Sequence, residues 1–138
     1  HEVNNSAGFI MVRPLGSPGK CAETLNSIQA YAEGTRLGIP VIMGIDPHTH
    51  IYGGTRMNVG DRSMALSATD NLETVRKVYD VWRKEMRAVG IHLLLAPQTD
   101  LTTDPRCVRN ADTHGETAEW NYHMAQAMTL GFYGEALG

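Results

Sequence analysis

The sequence predicts an α/β protein built from three consecutive strand–helix units. Three continuous apolar runs carry this prediction, because each is short and is followed by a polar loop and a helical pattern. The runs span residues 8–12, 39–45 and 91–96. Since each run is apolar on both faces, we expect parallel strands that helices cover on both sides. Right-handed crossovers should join them.

The first helix is expected to begin at Ser17 and to end at Gly38. Ser17 is a favourable N-cap, and Pro18 suits the first helical position. Apolar residues follow at helical spacing, at Leu25, Ile28 and Ala32.

Two further helices follow the second and third strands. Asp70 and Glu73 have the spacing of a capping box, and Gly90 is a suitable left-handed stop. The apolar face of this helix is predicted to contain Leu72, Val75, Tyr79, Trp82, Met86 and Val89. The last helix should start near Thr117, and its core-facing stripe is predicted to be Trp120, Met124, Ala127 and Met128.

Composition limits the possible partners of the chain. With 138 residues, 42% hydrophobic, 20% charged and a net charge of −3, it suits one soluble domain or a piece of a larger one. The slight acidity predicts neither a nucleic-acid partner nor an anionic membrane surface, and no apolar run reaches the roughly 18 residues of a membrane span. Cys21, Cys107 and the initial His1 leave the compartment open, and a secreted or periplasmic location fits them.

An isolated three-stranded sheet would leave much of its apolar surface in water. About six large strand side chains without cover would forgo roughly 1.5–3 kcal/mol each, which is on the order of the whole stability of a domain. We therefore expect the fold to be incomplete in this chain. The remainder would lie on another chain, in a missing continuation or in a symmetry mate.

Polar residues gather in the loop that follows the third strand. Residues 96–109 contain two Asp and two Arg, and Asp46 stands at the end of the second run. Because binding groups of parallel α/β proteins lie at the carboxyl ends of strands, this loop is the candidate site.

Several short segments between about residues 8 and 134 resemble glycoside hydrolase family 3 of the β-glucosidase type. They occur in the same order and at the same spacing as in the family. The loop 96–109 resembles A-P-x-x-D-V-x-x-D-P-R-W-G-R, and His114–Glu116 stands where the family has F-G-E. The other matching segments are Arg36–Val41 (R-L-G-I-P), Met64–Thr69 (L-G-A-T) and Glu85–Ile91 (E-x-R-A-x-G-I).

The resemblance implies that residues 1–138 are the N-terminal portion of a barrel domain and hold the first three units of a (β/α)8 TIM-like barrel. It also implies a retaining, exo-acting β-glycosidase of the β-glucosidase or β-xylosidase type, acting on a carbohydrate without a cofactor. Retaining glycosidases need a nucleophile and an acid/base carboxylate. Neither matches a residue here, so both would lie elsewhere and this chain alone should be inactive.

The resemblance also implies roles for residues of the two strand ends. Asp46 and Arg109 would bind the sugar in the −1 subsite, although Asp46 could instead cap its loop and Arg109 could pair with Asp104 or Asp112. Asp100 would bind the sugar or hold Arg106 or Arg109. Asp104 and Arg106 would support these groups, unless Asp104 only starts a turn.

Departures from the family pattern leave the preferred sugar open. Cys107 and Val108 replace Trp-Gly, and Asp112 replaces Glu. These changes alter the wall of the expected sugar pocket.

Two alternatives of other classes remain. His48 and His50, next to Asp46, resemble the D-P-H-x-H of metal-dependent amidohydrolases and could chelate a divalent metal. In that alternative His92 is not a third ligand, and we expect it to be a core histidine. The other alternative is a non-catalytic sugar-binding subunit.

Overall fold

The computed structural model describes residues 7–13, 16–46 and 63–134. Within them the chain divides into two compact units. The first unit contains residues 7–13, 16–46 and 85–95, and the second contains 63–84 and 96–134. Among the helices of these described ranges, none is both long and apolar enough to cross a membrane.

The first unit contains a parallel three-stranded sheet. Its strands are β1 (Phe9–Met11), β2 (Ile42–Ile45) and β3 (Leu93–Leu94), in the order β1-β2-β3. β1 pairs with β2 and β2 pairs with β3, both in parallel. The α/β class and the parallel sheet are therefore confirmed. The strands are shorter than the apolar runs that predicted them.

Helix α1 (Pro18–Glu33) follows β1 and begins where the sequence predicts. The Lys20 amide donates to Ser17 Oγ at 3.3 Å, so Ser17 is the N-cap. The predicted end at Gly38 is wrong, because the helix stops at Glu33. Gly38 has a φ of +60° and lies in the turn that follows the helix.

A side chain of α1 determines where β2 starts. Gln29 Nε2 donates to the Val41 carbonyl at 2.7 Å, and the Val41 amide donates to Gln29 Oε1 at 3.0 Å. Both backbone groups of Val41 are therefore used before the strand begins. This explains why the apolar residues from Ile39 onward do not all join the sheet.

The two faces of the sheet differ in cover. One face packs against α1 and the end of α3 (Leu72–Ala88). Its buried cluster is Val12, Cys21, Leu25, Ala32, Val41, Met43, Ile45, Met86, Val89 and Ile91. Within the described residues, the alternate strand positions remain exposed at Phe9, Met11, Ile42, Leu93 and Leu95. Helices were expected to cover both faces of the sheet, and within the described residues they cover only one.

The second unit is helical around its own apolar cluster. It contains α2 (Ser63–Ser67), the larger part of α3 and α4 (Ala118–Tyr133). The buried cluster is Leu66, Val75, Tyr79, Trp82, Met124, Ala127 and Met128. A Cβ at Gly131 would lie 2.5 Å from the Arg76 carbonyl oxygen, so glycine permits the close approach of α4 to α3.

The start of α3 differs from its prediction. Asp70 was the expected N-cap, but it has a φ of +50° and lies outside the helix. The Thr74 amide donates to Asn71 Oδ1 at 2.9 Å, so Asn71 takes the capping role. The stop at Gly90, with a φ of +92°, is confirmed. So is the apolar face of α3, whose members divide between the two clusters.

Candidate functional site

The candidate loop lies in the second unit and connects β3 to α4. It spans residues 96–117 and contains one short 3-10 helix, Asn110–Asp112. Two parts of the loop differ in environment. Residues 103–109 are mostly exposed, whereas 112–114 are buried.

Asp104 and Arg106 pair with each other at the exposed tip of the loop. Arg106 Nη2 donates to Asp104 Oδ2 at 2.6 Å, and the Arg106 amide donates to Asp104 Oδ1 at 2.9 Å. The Arg106 side chain first, and its backbone amide second, hold the pKa of Asp104 below its ordinary value. Asn110 Nδ2 donates to the Asp104 carbonyl at 2.9 Å. Asp104 thus closes a local turn.

Arg109 contacts the first part of the loop. Its Nη1 donates to Gln98 Oε1 at 2.9 Å, and its side chain is exposed. Asp104, one expected partner of Arg109, forms an ion pair with Arg106. Asp100, which was expected to bind the sugar or to hold Arg106 or Arg109, is exposed, and Arg106 is paired with Asp104. The structure therefore joins Arg109 to Gln98 across eleven residues of sequence.

Asp46 belongs to the first unit, directly after β2, and is half-buried. His48 and His50 lie outside the described residues, so the proposed chelating pair has no structural description. Among the residues that are described, no three His, Cys, Asp or Glu side chains are grouped to hold a metal ion. The expectation that His92 is a core histidine is wrong, because it is exposed. His92 lies one residue before β3, and its amide donates to the Met43 carbonyl.

A buried polar cluster that the sequence did not predict fixes two places in the loop, the backbone at Thr99 and Asp100 and the side chain of His114. Asn121 of α4 is 4% exposed, and its Nδ2 donates to the carbonyls of Thr99 at 2.7 Å and Asp100 at 3.2 Å. Its Oδ1 lies 2.8 Å from Nδ1 of His114, which is 1% exposed. Polar groups buried to this degree are costly unless they are hydrogen-bonded, and here they are.

The same cluster continues to α2 through the backbone of His114. Ser67 Oγ donates to the His114 carbonyl at 2.6 Å and accepts from Trp120 Nε1 at 2.6 Å. The hydroxyls of Thr102 and Thr113 bond to each other, and the Thr102 amide donates to the Gly115 carbonyl at 3.0 Å. The first part of the loop, at Thr102, is therefore hydrogen-bonded to its last part, at Thr113 and Gly115.

One sequence signal could have indicated this cluster. Asn121 is spaced three and seven residues before Met124 and Met128, so it shares the core-facing side of α4. A polar residue on that side needs a buried partner. His114 is a polar residue at a position where the family pattern has Phe. The two anomalies lie seven residues apart, and the structure pairs them.

Protonation in the buried cluster follows from its hydrogen bonds. Asn121 Nδ2 faces two carbonyls, so it must be the amide nitrogen, and Oδ1 can only accept. His114 therefore carries a hydrogen on Nδ1. Its Nε2 lies 2.7 Å from the Met128 sulfur, and in the neutral ring neither of these atoms carries a hydrogen, so this is a contact and not a hydrogen bond. Burial lowers the pKa of His114 below its ordinary value of 6.5, and the hydrogen bond to Asn121 opposes part of that shift. The neutral imidazole is the favoured form.

The exposed loop offers groups for a ligand rich in hydroxyls. Carboxylates accept hydrogen bonds from hydroxyl groups, and a guanidinium donates several in a fixed fork. Asp100 and Arg109 supply these two kinds of group on the exposed side of the loop. The fold is that of the α/β class with a parallel sheet, in which small polar ligands generally bind in the loops after the strands.

The comparison with known proteins identifies the family. Residues 3–137 match the model of the glycosyl hydrolase family 3 N terminal domain. The chain belongs to that family.

Similar proteins include a periplasmic β-glucosidase/β-xylosidase of Dickeya chrysanthemi, which is 38% identical over 122 residues, 83% of this chain and 19% of that protein. A family 3 β-N-acetylglucosaminidase from Paenibacillus sp. str. FPU-7 has a TM-score of 0.80 and 26% identity over 95% of this chain and 26% of its own. A Listeria innocua β-glucosidase in complex with glucose has a TM-score of 0.75 and 29% identity over 94% of this chain and 17% of its own. The chain spans about a fifth of the length of the curated relatives it matches.

Proposed function

We propose that this chain is part of a glycosidase that hydrolyses β-linked glucosides or xylosides. The observation that carries the proposal is the family match over residues 3–137. The names of the similar proteins support it, since they include a β-glucosidase/β-xylosidase and a probable β-glucosidase C of Aspergillus flavus, 36% identical over 137 residues. Because the chain spans about a fifth of these relatives, the activity is proposed for the longer protein.

We propose that the chain supplies the first three units of a (β/α)8 barrel as the N-terminal portion of its domain. The exposed apolar face of the sheet supports this proposal, because it has the chemistry of a barrel interior. The Phe9 ring lies over Gly44 on this face, where an added Cβ would collide with it. Further strands of the longer protein would cover the face.

The proposed mechanism is retaining, and the roles here are binding roles. Asp46 and Arg109 would hold hydroxyls of the sugar in the −1 subsite, and Asp100 would add a third binding group. Asp104 and Arg106 would support the loop through their ion pair. The nucleophile and the acid/base carboxylate, which retaining enzymes hold about 5–5.5 Å apart, would come from the rest of the protein.

The test is the substitution Asp46→Asn in the full-length protein. It keeps the shape of the side chain but removes the charge that strengthens its bonds to sugar hydroxyls. Since charge-assisted bonds contribute roughly 1.5–3 kcal/mol, kcat/KM on an aryl β-glucoside or β-xyloside should fall about 10- to 150-fold. The matched control is Asp70→Asn, because asparagine tolerates the left-handed φ of +50° at that position. An unchanged kcat/KM for Asp46→Asn would remove Asp46 from the site.

Chelation separates this proposal from its alternatives. A retaining glycosidase uses carboxylates, so the activity should survive treatment with a chelator and desalting. An amidohydrolase that holds its metal with His48 and His50 would lose activity, and added zinc or manganese would restore it. A protein that binds the sugar without hydrolysing any aryl glycoside would be the non-catalytic subunit.

A further inference from the structure

Both polar atoms of the Asn121 side chain have hydrogen-bond partners inside the second unit. Its Nδ2 donates to the carbonyls of Thr99 and Asp100, and its oxygen accepts from His114. The helix α4 holds the side chain from one side, and the imidazole holds it from the other. A buried hydrogen-bond network of this kind rigidifies the segment that it contacts.

This network connects by a short path to the exposed binding groups. Asn121 fixes the carbonyls of two consecutive residues, Thr99 and Asp100. Asp100 is itself an expected sugar ligand. Gln98, the residue before Thr99, accepts from the Arg109 guanidinium at 2.9 Å. The backbone that Asn121 holds therefore carries the Asp100 carboxylate directly. It also contacts the Arg109 guanidinium through the Gln98 side chain.

We propose that Asn121, oriented by His114, is a positioning residue for the sugar-binding loop and acts through the Thr99 and Asp100 carbonyls on Asp100 and Arg109. This inference rests on the proposed function. Neither Asn121 nor His114 would touch the sugar. They would determine the distance and direction at which the loop presents its carboxylate and guanidinium.

The network also has the directionality that this role requires. An apolar side chain at position 114 could also pack against Asn121, and the family pattern has Phe there. A phenyl ring would fill space but could not orient an amide. A hydrogen bond from Nδ1 selects one of the two orientations of the Asn121 amide, and only that orientation donates to both carbonyls. The pair thus defines one geometry of the loop.

The variants are made in the full-length protein. Asn121→Leu keeps a similar size but removes both donors, and His114→Phe removes the orienting hydrogen bond. His114→Asn is the conservative variant, because its amide nitrogen can stand near the place of Nδ1. The matched control is Asn71→Ala. It removes a side-chain hydrogen bond at 2.9 Å in the same unit but outside the loop, and so it lowers stability without touching the network.

The first readout is kcat/KM on an aryl β-glucoside. Asn121→Leu and His114→Phe should each lower it about 10- to 50-fold, and His114→Asn should recover it to within about threefold of the wild type. In a protein that already carries both Asp100→Ala and Arg109→Ala, Asn121→Leu should cost less than about threefold, because residues that act as a unit are not additive. A general structural defect would keep its full effect in that background.

The second readout does not depend on activity. Hydrogen exchange of the Thr102 amide, which donates to the Gly115 carbonyl, should accelerate about tenfold in Asn121→Leu and stay unchanged in Asn71→Ala. If the wild-type protein hydrolyses no glycoside, the proposed function fails, and this exchange alone decides whether Asn121 holds the loop. The inference is overturned if exchange at Thr102 matches the wild type. It is equally overturned if an active enzyme shows the same kcat/KM in Asn121→Leu, or the same loss with and without the Asp100 and Arg109 side chains.

Discussion

The residues that are buried in the core cluster of the first unit are apolar, whereas the second unit buries hydrogen-bonding side chains beside its apolar cluster. Each polar residue that is buried in the described ranges belongs to the second unit. These residues are Ser63, Ser67, Asp112, Thr113, His114 and Asn121. Conversely, the apolar face that the described residues leave uncovered belongs to the sheet of the first unit.

The two interiors differ because a sheet with its helices and an irregular loop are stabilised by different interactions. Apolar packing is non-directional, so it holds a sheet and its helices wherever the volumes fit. A loop without regular structure has no ladder of backbone hydrogen bonds, and its carbonyls need individual donors. The second unit supplies those donors from Asn121 and Ser67. The first unit should therefore respond to changes of volume, and the second to changes of protonation.

The largest effect is expected from Leu25→Ala in the first unit. Leu25 is 2% exposed in the core cluster, and its truncation should lower the free energy of unfolding by about 2–5 kcal/mol. Denaturant unfolding at pH 7.5 and pH 5.5 should show the same loss, because no titratable group gains or loses a partner. The control is Leu37→Ala, since Leu37 is 56% exposed and its truncation should change stability by less than about 0.5 kcal/mol. A loss that differs between the two pH values would break the comparison.

An intermediate effect is expected from acid in the second unit. Burial lowers the pKa of His114 in the folded protein, while in the unfolded chain it titrates near its ordinary value of 6.5. The unfolded chain therefore binds more protons as the pH falls below 6.5, and stability is lost until the pH passes the lower folded pKa. Above pH 6.5 the neutral imidazole contributes its full stability.

His114→Phe isolates this contribution. The variant has no imidazole to protonate, so its free energy of unfolding should fall less steeply than that of the wild type between pH 7.5 and the acid limit. The measurement is the difference between the two denaturation series across that range. His123→Phe serves as a matched control, because His123 lies on α4 outside the buried cluster. Equal slopes for wild type and His114→Phe would show that the buried imidazole is not the source of the acid sensitivity.

The smallest effect is expected at the exposed tip of the loop. Asp104→Asn removes the charge that pairs with Arg106, but both side chains are exposed and water screens their attraction. Tm measured at neutral pH should change by less than about 1 °C. Arg106→Gln should behave in the same way. A drop of several degrees in either variant would mean that the tip, like the buried base of the loop, contributes to stability.

The sequence by itself determined the local elements and the family. Ser17 with Pro18 marks the start of α1, and the stripe from Val75 to Val89 marks the buried side of α3, because capping and helical periodicity depend on residues a few positions apart. Three apolar runs separated by helices predicted the parallel sheet. The ordered segments that resemble glycoside hydrolase family 3 predicted the family to which the chain belongs.

Tertiary structure alone decided the features that join distant residues. Gln29 shortens β2 by occupying Val41, and the apolar face of α3 divides between two cores although its periodicity is continuous. The bond between His114 and Asn121 could not be read from either residue alone, because a buried polar side chain has many candidate partners and only the fold selects one. The sequence thus contained the groups of the candidate loop, and the packing of α4 determined how they are held.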